Sequence, residues 1–62
     1  MKYIIVENDG FIRSQIDVKG KPNKYGEAKL FDTEEAAYKW IDKHSYKGMS
    51  FRYEVLEFPE RG

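Results

Sequence analysis

The chain has 62 residues, with eleven Lys and Arg balancing eleven Asp and Glu for no formal net charge, and it contains no cysteine. That length makes one domain, residues 1–62, which buries only about 60% of the surface its unfolded chain exposes. The composition rules out a disulfide framework, a thiolate zinc site and a cysteine nucleophile, and it gives none of the basic excess on which a dedicated nucleic-acid binder relies. Support must come from packing, and one Trp, five Tyr and four Phe supply it. Ten aromatic rings exceed what so small a core encloses, so some are expected on the surface, where they mark contact sites.

No apolar run approaches membrane-spanning length, and residues 1–6 turn polar at Glu7, too soon for a signal peptide. The expected location is the cytoplasm, with no membrane partner. Tyr3-Ile4-Ile5-Val6 is apolar on both faces and reads as a central strand. Asn8-Asp9-Gly10 is a tight-turn signal. The following run alternates, with Ile12, Ser14, Ile16 and Val18 on one face and Phe11, Arg13, Gln15 and Asp17 on the other, which predicts a half-buried strand hairpinned to the first.

Residues 19–27 hold two glycines, a proline and an asparagine without periodicity and read as a loop. Ala28 to Phe31 suit a short third strand. Asp32 is the expected helix N-cap, Glu35 completes a capping box, and Phe31 and Ala36 occupy the positions of a hydrophobic staple. The helix runs to about Ser45 with Ala37, Trp40, Ile41 and His44 on one face, and Gly48 marks its stop. Phe51, Tyr53 and Val55 alternate with Arg52 and Glu54 in a last strand, and Leu56 and Phe58 fall on its opposite face. The expected fold is α+β: a small, mostly antiparallel sheet of three or four strands with one amphipathic helix on one face, in the order ββ(β)αβ.

No catalytic, cofactor or metal motif stands out. His44 is the one histidine and suits a ring nitrogen meeting a backbone carbonyl; Ser45, Ser50 and Asp42 lie near it in sequence but in no recognised arrangement. Glu34-Glu35 fits the helix start, and Glu54 with Glu57 fits a solvated strand. Gly20 and Gly26 lack the spacing of a phosphate-binding loop. Between Phe11 and Phe31, Arg13, Lys19, Lys21, Lys24 and Lys29 face only Asp17 and Glu27. That modest basic-aromatic surface, with Tyr25, suits single-stranded nucleic acid as a secondary reading.

The start Met1-Lys2-Tyr3-Ile4-Ile5-Val6, the turn at Asp9-Gly10 and the segment Leu30-Phe31-Asp32-Thr33-Glu34-Glu35-Ala36 resemble short proteins of bacteriophages and other mobile elements. That resemblance implies a partner among host proteins, bound and inhibited or redirected. The arrangement is also similar to the HicB-type antitoxin, with its N-terminal hairpin and Thr-x-Glu-Glu-Ala helix, although the proline-glycine-cysteine segment of that family is missing. Neither resemblance carries over a functional residue. The expectation is a non-enzymatic binding protein that contacts a host protein through Phe11, Arg13, Lys21, Lys24, Tyr25 and Tyr38. An open sheet edge, or the sheet face without a helix, would also suit a homodimer.

Overall fold

Strand β1, Lys2–Asn8, is the centre of the sheet in a computed structural model that describes residues 1–46 and 48–59. Its β-branched run is flanked on one side by β2, Arg13–Gln15, and on the other by β3, Tyr53–Phe58, both antiparallel, in the order β2-β1-β3. Val6 lies opposite Gln15 and Asn8 opposite Arg13, while Ile4 faces Leu56 and Glu7 faces Tyr53. One helix, α1 over Glu34–His44, packs across one face. This is the expected small α+β fold, with three strands.

The turn between β1 and β2 is a polar staple. The Asp9 carboxylate accepts from the backbone N–H groups of Phe11 and Ile12 at 2.9 and 2.8 Å, and Gly10 adopts φ +99°, where a side chain would be strained. Strand β2 ends sooner than its alternation predicts. Only Ile16 of the apolar set reaches the core, at 1% exposure, whereas Ile12 and Val18 are half exposed at 50% and 55%. The cause is Asp17, which is buried rather than displayed on the open face. Its carboxylate gathers the N–H groups of Lys19 and Lys21 at 2.9 and 3.0 Å and the Asn23 carboxamide at 3.2 Å, and so turns the chain out of the strand.

The segment after that turn returns along β2. Asn23 N–H donates to Gln15 and Lys29 N–H to Ile16, and single bridges join Ile16 to Pro22 and Asp17 to Ala28. The short third strand expected over 28–31 is therefore replaced by isolated bridges. The last of these pairs Phe31 with Tyr3 in both directions, at 2.9 and 2.8 Å, completing the edge of β1 that β2 leaves bare.

The helix begins one residue later than expected. Thr33 is the N-cap (φ −138°, ψ 156°), and its hydroxyl accepts from Ala36 N–H at 3.1 Å. Asp32 is instead paired with Lys2, so the capping box of Asp32 with Glu35 does not form, while Ala36 packs against the core. Phe31 enters the core. Glu34 and Glu35 still meet the positive end of the helix dipole, and Lys43 and His44 the negative end.

The helix ends as expected at Ser45, which donates its N–H to Ile41 at 2.8 Å, and Gly48, at φ +80°, lies three residues beyond this cap. Ile5, Ile16, Phe31, Ala37 and Ile41 make the core, flanked by Tyr3, Trp40, Tyr53 and Val55. Each fully buried isoleucine contributes about 1.5–3 kcal/mol. Phe51 is not in the last strand: Ser50–Arg52 form a 3₁₀ turn, and its ring is 77% exposed.

Candidate partner-binding face

The sheet face away from the helix carries the even-numbered residues of β1 and β3, among them Ile4, Val6, Glu54, Leu56 and Phe58, together with Arg13 and Gln15 of β2. Val6 is 9% exposed although no helix covers it. Arg13, on one outer strand, forms an ion pair with Glu54 on the other, and the pair spans β1. The arginine stem thereby shields the apolar floor while its head stays at the surface.

Lys24 from the returning loop comes to the same place. With Val6, Arg13, Gln15 and Leu56 it borders a shallow depression of about 270 Å³. Gln15 ties the loop to the sheet by donating its carboxamide N–H to the Gly26 carbonyl. Two cationic side chains therefore stand over an aliphatic floor. Lys24 has no ion pair among the described residues.

The expected contact residues do not converge on one spot. Arg13 and Lys24 share the depression. Phe11, 96% exposed, lies in the β1–β2 turn, and Tyr25, 92% exposed, sits on the returning loop. Lys21 is exposed, and its backbone serves Asp17 through its N–H and its carbonyl. Tyr38 is on the helix side, where with Glu35, Ile41, Asp42 and Tyr53 it lines a separate groove. Residues outside the expected set, Val6, Gln15 and Leu56, complete the floor of the first depression.

A third hollow, of about 310 Å³, brings together Glu7, His44, Arg52 and Tyr53. The His44 ring stacks on Trp40 (centroids 4.3 Å apart, planes 18° apart), and its Nδ1 lies 2.9 Å from the Trp40 carbonyl oxygen. Partial burial raises the pKa of the Tyr53 phenol above its ordinary value, and the hydrogen bond and charge of Glu7 add to the rise. His44 and Glu7 thus border one hollow from distant parts of the sequence, and the His44 Nδ1 is engaged by the helix backbone. Among the described residues no group of His, Asp and Glu is placed to hold a metal ion, and no helix is long and apolar enough to cross a membrane.

Compared with protein-family models, curated proteins and solved structures, the chain matches none.

Proposed function

We propose that the protein is a non-enzymatic binding module that occludes a surface of another protein with the helix-free face of its sheet. The observation that carries this reading is an aliphatic floor, Val6 and Leu56, bordered by Lys24 and by Arg13, whose guanidinium is paired with Glu54. A partner segment that offers an aliphatic side chain beside a carboxylate fits that surface, because the apolar contact is desolvated while Lys24 meets the opposite charge at the rim. The resemblance to short phage proteins suggests a host protein as the partner.

The test is capture from bacterial lysate on tagged protein, with and without nuclease, comparing the native chain with Lys24→Glu and Leu56→Lys. One stoichiometric protein retained after nuclease and lost with both variants is the expected result. Retention by both variants would remove this face as the contact. Loss of every partner on nuclease treatment would move the function to single-stranded nucleic acid and the lysines of the loop.

A further inference from the structure

The two edges of the sheet are finished differently. On the β2 side the returning loop covers the edge: Asn23 N–H donates to the Gln15 carbonyl, Asp17 N–H to that of Lys21, and Lys29 N–H to that of Ile16. On the β3 side nothing comparable is present among the described residues. The ladder shows which groups are left over. Tyr3 and Ile5 spend their backbone groups on Phe31 and Ile16, so Ile4 and Val6 turn theirs toward β3 and bond Leu56 and Glu54. Tyr53, Val55 and Glu57 therefore direct their N–H and C=O groups outward. Tyr53 N–H is used by the Ser50 carbonyl. The Tyr53 carbonyl and both groups of Val55 and Glu57 remain. Tyr53–Phe58 has no Lys, Pro or bulge to guard its edge, and of its two charges Glu54 is already paired with Arg13, which leaves Glu57.

We propose that this edge is the seam of a homodimer, in which two β3 strands pair antiparallel about a two-fold axis at Val55 and make one six-stranded sheet. In that register Val55 exchanges two hydrogen bonds with its counterpart, and Glu57 N–H of each copy meets the Tyr53 carbonyl of the other. On the helix side valine meets valine. On the open face Glu54 lies opposite Leu56, and Phe58 comes level with Arg52. An axis at Leu56 makes as many backbone bonds but brings together the two Glu57 carboxylates, which have no ion pair among the described residues. An axis at Glu54 opposes two carboxylates directly. With the axis at Val55 the Glu57 charges lie four residues apart, and the carboxylates that approach are those of Glu54, each already paired with Arg13. Zero formal net charge leaves little repulsion between copies. The inference does not depend on which partner the open face binds.

The absence of cysteine makes a register-specific test simple. Glu54 and Leu56 of opposite copies form non-hydrogen-bonded pairs whose Cα atoms lie about 4.5 Å apart, within disulfide reach. Mixing Glu54→Cys with Leu56→Cys protein under mild oxidation is expected to give a covalent heterodimer, while neither variant alone crosslinks appreciably. Circular dichroism confirms that both variants are folded before mixing. Crosslinking by Leu56→Cys alone, or by Glu54→Cys alone, would overturn the axis at Val55. Sedimentation equilibrium of the native chain is expected to show a reversible dimer, and a pure monomer at about 1 mM would overturn the dimer itself.

Discussion

Replacing Ile16 with alanine tests the most consequential feature of the hairpin, because its alternation partners Ile12 and Val18 act as controls on the same stretch of chain. Ile16 is 1% exposed and packs with Ile5, Phe31, Ala37 and Ile41. Alanine removes three carbon groups, worth about 2.4 kcal/mol at ~0.8 kcal/mol each, and the residual cavity brings the loss to about 3 kcal/mol. At about 0.05–0.15 kcal/mol per residue, a chain of this length has ~3–9 kcal/mol in total. The substitution therefore removes a third or more of the stability and lowers Tm by about 12–24 °C. Ile12→Ala removes the same atoms from a half-exposed site with no cavity, so it costs about 1 kcal/mol, and Val18→Ala costs about the same or less. Urea unfolding followed by the fluorescence of Trp40, whose ring meets those of Phe31 and Tyr53, measures all three. Equal losses for Ile12→Ala and Ile16→Ala at unchanged m would refute the early end of β2. They would mean that one face of a regular strand is buried through residue 18.

At the helix start, Thr33→Ala is expected to cost about 1 kcal/mol through the lost cap, and Asp32→Asn less, as read by the same urea titration. Gly26→Ala should destabilise the returning loop, because a Cβ there overlaps the Asn23 carboxamide; protection of the Asn23 N–H in hydrogen exchange should fall. Acid should weaken the fold through Asp17, whose carboxyl is held below its ordinary pKa first by Lys21 N–H and then by the Asn23 amide and Lys19 N–H, against the opposing effect of burial. A depressed folded-state pKa gives a stabilisation that is present above the unfolded value of about 4 and is lost as pH falls through the folded one. Asp17→Asn should accordingly flatten the pH dependence of stability below about pH 4, and an unchanged acid limb would contradict the assignment.

Local grammar made much of this fold legible and non-local competition decided the rest. The hairpin and the helix stripe through Ala37 and Ile41 follow from turn residues and periodicity alone. The cap falls at Thr33, one residue beyond the expected Asp32, and both residues are good caps. What separates them is long-range: Phe31 is held extended by Tyr3, and Lys2 takes the Asp32 carboxylate, which leaves Thr33 as the last extended residue. Phe51 fits the alternation of β3, yet the chain is wound into a 3₁₀ turn there, with Met49 N–H on Tyr46 and Arg52 N–H on Met49. The candidate face was half legible. Arg13 and Gln15 follow from alternation on β2, but Lys24 shares a depression with Leu56 only because Asp17 reverses the chain, and no sequence period links residues so far apart.

That reversal also limits what the lysine-rich loop can recognise. From Asp17 to Asn23 every backbone N–H has an internal acceptor: Lys19 and Lys21 serve the Asp17 carboxylate, and Asp17, Val18, Gly20 and Asn23 serve main-chain carbonyls. Pro22 has none to give. Tyr25 N–H is likewise used, by the Asn23 side chain at 3.0 Å. A loop that cradles phosphate does so with convergent main-chain amides, and here two of those amides are taken by the Asp17 carboxylate and the other four by main-chain carbonyls. Contact by residues 19–23 therefore runs through side chains, the ammonium groups of Lys19 and Lys21, with the Lys24 ammonium and the exposed Tyr25 ring beside them. Such contact is strongly weakened by salt when the partner is a polyanion and much less so when it is an apolar protein surface. The salt dependence of binding thus separates the two kinds of partner without knowledge of either one's identity.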